Sequence, residues 1–194
     1  MELPTCDPLF REYFAPWYNK EEQERRGDRE TRPDIEELGI TLAEARELSP
    51  VTATVSLGVA QRITAMSDAA GKDWKKLLKV TGEPSMEWLS AFDAHFGKQE
   101  ILDLIIASSP EEFGNDYLVL CCEAGAVLGA ILREAEPRLE WVYDAPYWES
   151  ALYDEQTGIR LNVFHWVIRR MSDPGLDDGL ADRVRRYVGL IRKK

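Results

Sequence analysis

The segment over residues 117–132 constrains the fold more than any other part of the chain. Its sixteen residues are apolar except for Glu123. A span of this length with an internal carboxylate is too short and too polar to cross a bilayer, so we expect a buried helix. Asn115 precedes the segment and suits an N-cap position, which predicts one helix from about residue 115 to residue 136. Such a helix is about 30 Å long, the diameter of a small domain.

Two neighbouring ridges of this helix consist of small residues only. One contains Cys121, Gly125 and Gly129, and the other contains Cys122, Ala126 and Ala130. Because glycine inside a helix costs about 1 kcal/mol relative to alanine, two such glycines need a compensating close contact. We therefore predict a central helix pressed against a sheet. A membrane dimer through small residues is the alternative, and Glu123 disfavours it.

The sequence after Pro137 alternates between apolar and polar residues, which is typical of strands. The predicted strands cover residues 139–143, 150–153 and 159–163, with a turn at 144–147 and a hairpin loop at 154–158. Helical spacing returns at residues 164–171, and Asp177 is a candidate cap for a final helix that reaches Lys194. The predicted class is α+β: predominantly helical, with a small three-stranded antiparallel sheet near the C-terminus that packs on the long central helix.

The first hundred residues are mostly helical in pattern. Aromatic residues over 9–18 share one helical face that should dock on the main body, and the charged segment over 19–38 should be exposed, with a short helix at Lys20–Arg26. The division of the chain is thus an N-terminal appendage over residues 1–40 and a single domain over residues 41–194. The helical signals within that domain are a capping box from Thr41 to Glu44 and predicted helices over 73–79, 86–96 and 99–108, with another beginning at Ser109. Residues 51–66 fit either a strand or a helix, and their later spacing favours a helix.

The overall charge limits the classes of partner. The 194 residues carry a formal net charge of −11, and the segment over 101–150 contains ten acidic residues and two basic ones. Nucleic acid and anionic membrane surfaces would be repelled, although a basic cluster at the C-terminal end leaves a minor nucleic-acid alternative. A basic protein is the expected partner, and no membrane association is expected. The sequence does not indicate an oligomeric state.

Cysteine and histidine usage favours neither redox nor metal chemistry. Cys6, Cys121 and Cys122 have no CxxC spacing, and His95 and His165 are seventy residues apart. We expect no metal and no cofactor. The absence of a basic and apolar leader at the N-terminus predicts a cytoplasmic location.

Residues 115–173 resemble small uncharacterised bacterial domains, some of which are suspected immunity proteins of secreted toxins. The resemblance covers about a third of the chain. It is carried by a long helix containing LGAIL, by Trp141 on a strand, by the PYW triplet at 146–148, by a hairpin with Thr157-Gly158, and by VFHWVIRRM at 163–171. It implies a bacterial protein-binding domain and no known active site.

Carboxylates surround two aromatic rings in the turn after the first predicted strand. The candidate binding surface consists of Glu140, Asp144, Tyr147, Trp148, Glu149, Asp154 and His165. The rings of Tyr147 and Trp148 either fold back on the sheet, which we favour, or form a recognition surface.

Two functions follow from this pattern. The first is a non-enzymatic protein-binding domain, of immunity or adaptor type. The alternative is a hydrolase of unrecognised type that uses these carboxylates beside Trp148, as glycosidases do. The chain contains no GxSxG, HExxH, P-loop or GxGxxG motif, so we predict no catalytic residues.

Overall fold

The computed structural model describes residues 2–26 and 31–191, which form an α+β fold made mostly of helices. The helices are α1 (Cys6–Tyr13), α2 (Lys20–Arg26), α3 (Leu42–Glu47), α4 (Ala53–Leu77), α5 (Met86–His95), α6 (Lys98–Ala107), α7 (Asp116–Ala135), α8 (Val163–Arg170) and α9 (Leu180–Ile191). The strands are β1 (Ile35–Glu37), β2 (Glu140–Val142), β3 (Ala151–Asp154) and β4 (Ile159–Leu161). The predicted fold class is confirmed.

The sheet has four antiparallel strands in the order β1-β4-β3-β2, one strand more than predicted. The additional strand, β1, comes from the charged N-terminal segment and places Glu36 opposite Arg160. A three-residue strand with two glutamates carries no alternating apolar signal, so its pairing depends on the open edge of β4. The three predicted strands are present: the first and third are shorter than predicted, and the second is shifted by one residue.

The small-residue ridge of α7 packs against two aromatic rings, one on the sheet and one on α8, rather than against the sheet alone as predicted. A Cβ added to Gly125 would lie 2.3 Å from the ring of Phe164 on α8, and one added to Gly129 would lie 2.5 Å from the ring of Trp141 on β2. Both rings are almost fully buried. The two glycines therefore allow α7 to approach both the sheet and α8 more closely than any larger residue would.

The first forty residues contribute to the same core as the rest of the chain. Phe10, Phe14 and Tyr18 are buried in the main hydrophobic cluster together with residues of α7 and α8. β1 also belongs to the sheet, so segments on both sides of residue 40 share the sheet and the core. The bounds of α2 are as predicted, and residues 27–30 of the predicted exposed segment lie outside the described residues.

Two of the predicted helix boundaries are wrong. The predicted segments 51–66 and 73–79 merge into one helix, α4, over Ala53–Leu77, which Thr52 caps through a hydrogen bond from the backbone N–H of Val55. No helix begins at Ser109; residues 109–114 form turns, and Gly114 adopts a φ of +95°. The predicted caps at Thr41 and Asn115 are confirmed.

The final helix begins at Leu180 rather than beside Asp177. Asp93, from α5, accepts hydrogen bonds from the backbone N–H groups of Leu180 and Ala181, both at 3.0 Å. The same carboxylate accepts from Nε of the buried Arg170 at 2.9 Å. A carboxylate at a helix N-terminus is favoured by the helix dipole, so α5 caps α9 across the interface between them. Residues 192–194 of the predicted helix lie outside the described residues.

Candidate functional site

The residues predicted to form a binding surface are mostly buried. Of the seven, Glu140 is exposed and Tyr147 is half-buried, while the others expose only 1–4 % of their surface: Asp144, Trp148, Glu149, Asp154 and His165. Such side chains cannot present an exposed surface to a macromolecule. The rings of the turn fold back into the core, as favoured from the sequence, and Trp148 packs against Phe14 and Tyr18.

Glu149 lies at the centre of a buried polar network. Its Oε2 accepts a hydrogen bond from Nε of Arg32 at 2.5 Å, and its Oε1 accepts from the hydroxyl of Tyr18 and lies 3.2 Å from Nε2 of His165. Its carbonyl oxygen accepts from Nη2 of Arg160 at 3.0 Å. Both carboxylate oxygens are therefore occupied by donors of the same chain.

Both ring nitrogens of His165 have partners as well. The backbone N–H of Arg32 donates to Nδ1 at 3.0 Å, so Nδ1 is the acceptor and the proton resides on Nε2, which donates to Glu149. The ring of Phe10 stacks on the imidazole at 5.3 Å between centroids. This histidine connects the segment around residue 32 to α8, and both of its ring nitrogens are engaged within the chain.

The charge state of the network follows from its surroundings. Burial alone would raise the pKa of Glu149, but the interaction with His165, the charge of Arg32 and the hydrogen bond from Tyr18 outweigh it and hold that pKa below its ordinary value of 4.5. Burial and the neighbouring carboxylate raise the pKa of Tyr18 well above 10. The network therefore holds an ionised carboxylate and a protonated phenol at neutral pH.

The remaining buried carboxylates are also engaged in structural contacts. Asp144 pairs with Arg25 at 2.9 Å, and Asp154 pairs with Arg138 at 2.9 Å. Asp154 also accepts hydrogen bonds within its own hairpin, from the backbone N–H of Gln156 and from the hydroxyl of Thr157. Four cavities around the described residues are lined by no carboxylate of the predicted set. These carboxylates are thus paired with donors of the same chain and do not line any of these four cavities.

A groove of about 590 Å³ lies elsewhere, between the C-terminal half of α4, the ends of α5 and α6, and the N-terminal half of α7. Its apolar part is contributed by Trp74, Leu77, Phe96, Leu104, Val119 and Leu120. Leu77 and Val119 are unusually exposed for residues of their type, at 45 % and 37 %. The groove therefore offers apolar surface to solvent.

Carboxylates line this groove without a basic residue among them. They are Asp73, Glu100, Asp103, Asp116 and Glu123, accompanied by His95. A cleft lined by one sign of charge concentrates the field of those charges and attracts the opposite charge. We refer to the twelve lining residues together as the acidic groove.

Glu123 connects the apolar and acidic parts of the acidic groove. Its Oε2 accepts a hydrogen bond from Nε1 of the buried Trp74 at 3.3 Å. Burial raises the pKa of Glu123, the hydrogen bond from Trp74 opposes this shift, and the charge of Asp73 adds to it. Behind Trp74, the ring of Phe92 stacks at 5.2 Å, so this wall is held rigidly by the core.

No local sequence pattern indicates the whole acidic groove, because its residues come from three separate segments spread over residues 73–123. The available signal was the pattern on α7, in which Asp116, Val119, Leu120 and Glu123 recur at helical spacing on one side of the helix. That pattern indicates an apolar stripe beside carboxylates. Only the packing of α4 and α6 against α7 turns the stripe into a concave site.

The cysteines provide no reactive thiolate. All three are free and buried, and burial raises the pKa of Cys6 to about 11 and that of Cys122 to about 12. Within residues 2–26 and 31–191, His, Cys, Asp and Glu side chains form no group of three suited to holding a metal ion. None of the helices in the same residues combines the length and the apolar character that crossing a membrane requires.

Comparison of the chain with family models, with curated proteins and with solved structures found no significant match. The geometry of this chain is therefore the only basis for assigning its function.

Proposed function

We propose that the chain is a non-enzymatic protein-binding domain of immunity or adaptor type, and that the acidic groove binds a cationic amphipathic helix of a partner protein. The observation that carries the proposal is the combination of five carboxylates with solvent-exposed apolar side chains in one groove. A helix laid into a groove by its apolar face is a common mode of peptide recognition.

The chemistry of the groove specifies the occupant. Leu77 and Val119 would contact apolar side chains of the partner, and Asp103 and Asp116 on the rim would meet its lysines and arginines. Because charge complementarity acts mainly on the association rate, binding should be fast and should weaken as salt is added. The net charge of −11 extends the same attraction beyond the groove.

The cysteines support a cytoplasmic location for this function. Cys6, Cys121 and Cys122 are all buried free thiols, as expected for a protein of a reducing compartment. We therefore place the proposed partner, at the time of binding, in the cytoplasm.

A designed peptide tests the proposal directly. The probe is a labelled amphipathic helix of about 15 residues with leucine on one face and lysine on the other, followed by fluorescence anisotropy. The double variant Asp103→Lys/Asp116→Lys should bind it at least about tenfold more weakly than the parent, and the parent should lose affinity between about 50 mM and about 500 mM salt.

The matched control carries the same change in net charge outside the groove. Glu47→Lys/Glu140→Lys alters two exposed residues and should bind the peptide almost as tightly as the parent. Because Glu140 belongs to the surface predicted from the sequence, this control also tests that earlier surface. Equal losses in the two double variants would show that net charge alone drives binding, and the proposal would then be wrong.

The apolar part of the groove needs a separate comparison. Leu77→Ser should weaken binding of the leucine–lysine peptide several-fold without changing binding of an all-lysine peptide of the same length. Equal effects on both peptides, or tight binding of a leucine–glutamate peptide, would contradict a groove that recognises cationic amphipathic helices.

A further inference from the structure

Four arginines line one cavity of this acidic molecule. The cavity measures about 260 Å³ and is lined by Arg25, Arg26, Arg32, Glu36, Leu38, Leu48 and Arg160. Arg25 and Arg26 lie in the last turn of α2, and Arg160 lies in β4 opposite Glu36. We refer to these seven residues as the arginine pocket. It shares no residue with the acidic groove.

The guanidinium group of Arg26 contributes buried N–H donors to the pocket, and these have no hydrogen-bond acceptor among the described residues. Its guanidinium carbon lies 4.2 Å from the centre of the Phe10 ring and 5.0 Å from that of Tyr18. Nε and Nη2 of this guanidinium are buried and make no hydrogen bond with any described residue. Buried donors of a charged group normally have a partner, so this guanidinium is suited to an acceptor that comes from outside the chain.

The other three arginines are held in place by ion pairs and hydrogen bonds to residues that do not line the pocket. Arg25 pairs with Asp144 at 2.9 Å, and Arg32 pairs with Glu149 at 2.5 Å. Arg160 is buried and donates to the side-chain oxygen of Asn162 at 3.0 Å and to the backbone carbonyl of Glu149 at 3.0 Å. The pocket is thus preorganised, since binding a ligand would require no reordering of these side chains.

The positive charges of the pocket repel each other. Burial first, and then the neighbouring charge of Arg32, lowers the pKa of Arg160, while Glu36 and Glu149 oppose that shift. Among the described residues, four guanidinium groups face three carboxylates: Glu36 within the pocket, and Asp144 and Glu149 behind it. One unit of positive charge remains, on a protein whose net charge is −11.

We propose that the arginine pocket binds a phosphate group, either as inorganic phosphate or as a small phosphomonoester. A phosphate group carries up to two negative charges and several acceptor oxygens, which suits clustered guanidinium groups better than a singly charged carboxylate does. The cavity, at about 260 Å³, is smaller than the range of about 300–1,000 Å³ typical of sites for drug-sized ligands, which suits a small anion.

Isothermal titration calorimetry with the full chain and inorganic phosphate tests this proposal, with sodium acetate and sodium chloride at matched ionic strength as comparisons. Phosphate should bind with a saturable isotherm and raise the Tm, whereas acetate and chloride should do neither. Arg26→Gln should weaken phosphate binding at least about tenfold, and Arg26→Lys should retain part of it. Glycerol phosphate in a parallel titration distinguishes the two sources: tighter binding than inorganic phosphate indicates a phosphomonoester, and weaker binding indicates the free ion.

Two further variants keep the test independent of folding defects. Arg62→Gln is the matched control, because Arg62 also stacks over an aromatic ring, that of Tyr147 at 5.0 Å, but lies outside the pocket. It should bind phosphate like the parent. Glu36→Gln removes the carboxylate that competes with the ligand and should tighten phosphate binding several-fold. Equal stabilisation by acetate or chloride, an unchanged affinity in Arg26→Gln, or an equal loss in Arg62→Gln would each overturn the proposal.

Discussion

Individual carboxylates connect distant segments of this chain. Glu149 receives hydrogen bonds from Tyr18 and Arg32 in the N-terminal region and from His165 on α8. Asp93 on α5 accepts hydrogen bonds from Arg170 on α8 and from the backbone N–H of Leu180 at the start of α9. Removing one partner of such a group leaves the others buried without an acceptor, which costs more than the intact contact contributes.

Glu149→Gln tests this argument at the residue scale. A carboxamide cannot accept from three donors as the carboxylate does, so we expect a loss of about 3–5 kcal/mol in the free energy of unfolding near neutral pH. Because the folded-state pKa of Glu149 lies below 4.5, the ionised carboxylate stabilises the fold above about pH 4.5, and this contribution disappears as the pH falls through the folded-state pKa. Urea denaturation at several pH values should show the two proteins converging in acid. A constant difference at every pH would contradict this account.

Single elements show where packing overrides local preference. Gly125 and Gly129 weaken α7 as an isolated helix, yet they allow Phe164 and Trp141 to approach its backbone. Gly58 and Gly71 in α4 have open space around a Cβ position and no such compensation. The same residue type therefore has opposite effects on stability in the two helices.

Substitutions at these glycines should change stability in opposite directions. Gly125→Leu or Gly129→Leu forces the buried rings away and should cost about 1–3 kcal/mol of the free energy of unfolding. Gly58→Ala is the control and should stabilise the protein by up to about 1 kcal/mol, since only helix propensity changes. Thermal melting compares all three variants. If the α7 variants melted with the parent, close packing would not be the reason for these glycines.

The elements that were predictable from the sequence are those with strong local signals. The capping box at Thr41, the cap at Asn115 and the small-residue ridge each involve neighbouring positions, and each is present in the structure. In contrast, the glutamate-rich β1 forms only because β4 offers a free edge about 120 residues away. The turn at residues 109–114 departs from a good helix-start sequence because Gly114 takes a positive φ.

The candidate site was less predictable for the same physical reason. The sequence places Glu149 and Asp144 correctly beside Trp148, but their burial depends on Arg25 and Arg32, whose approach no local pattern indicates. The acidic groove and the arginine pocket are likewise made of segments that meet only in the folded chain. A carboxylate cluster on the surface can bind a cationic partner, whereas one that is buried and paired in the core stabilises the fold and no longer recognises an external partner.

At the scale of the whole molecule, the N-terminal segment completes the core. Phe10, Phe14 and Tyr18 are buried, and Asp34 pairs with Arg169 at 3.0 Å and with Arg183 at 2.5 Å. Each fully buried aromatic side chain contributes about 1.5–3 kcal/mol, and a domain of ordinary stability has only about 5–15 kcal/mol in total. The first forty residues are thus expected to be indispensable for the fold.

Deletion of residues 2–18 tests this expectation. The shortened chain should show no cooperative unfolding transition in circular dichroism, because the removed aromatic rings leave a large cavity over Trp148 and Tyr117. A synthetic peptide of residues 2–18 added in trans should restore a transition, which separates a missing core segment from general misfolding. A shortened chain with the Tm of the parent would instead support the appendage predicted from the sequence.

The position of β1 in the sheet has a consequence during synthesis. Ribosomes make β1 early, but its only partner in the described sheet, β4, follows about 120 residues later. At a synthesis rate of about 5–20 residues per second, the backbone groups of β1 stay unpaired for roughly 6–24 s before β4 is made. An unpaired strand invites association with other nascent chains, and a length of three residues with two negative charges discourages it. The two glutamates remove the alternating apolar pattern by which a strand is predicted. Their negative charges also disfavour association of the nascent chain before β4 has been made.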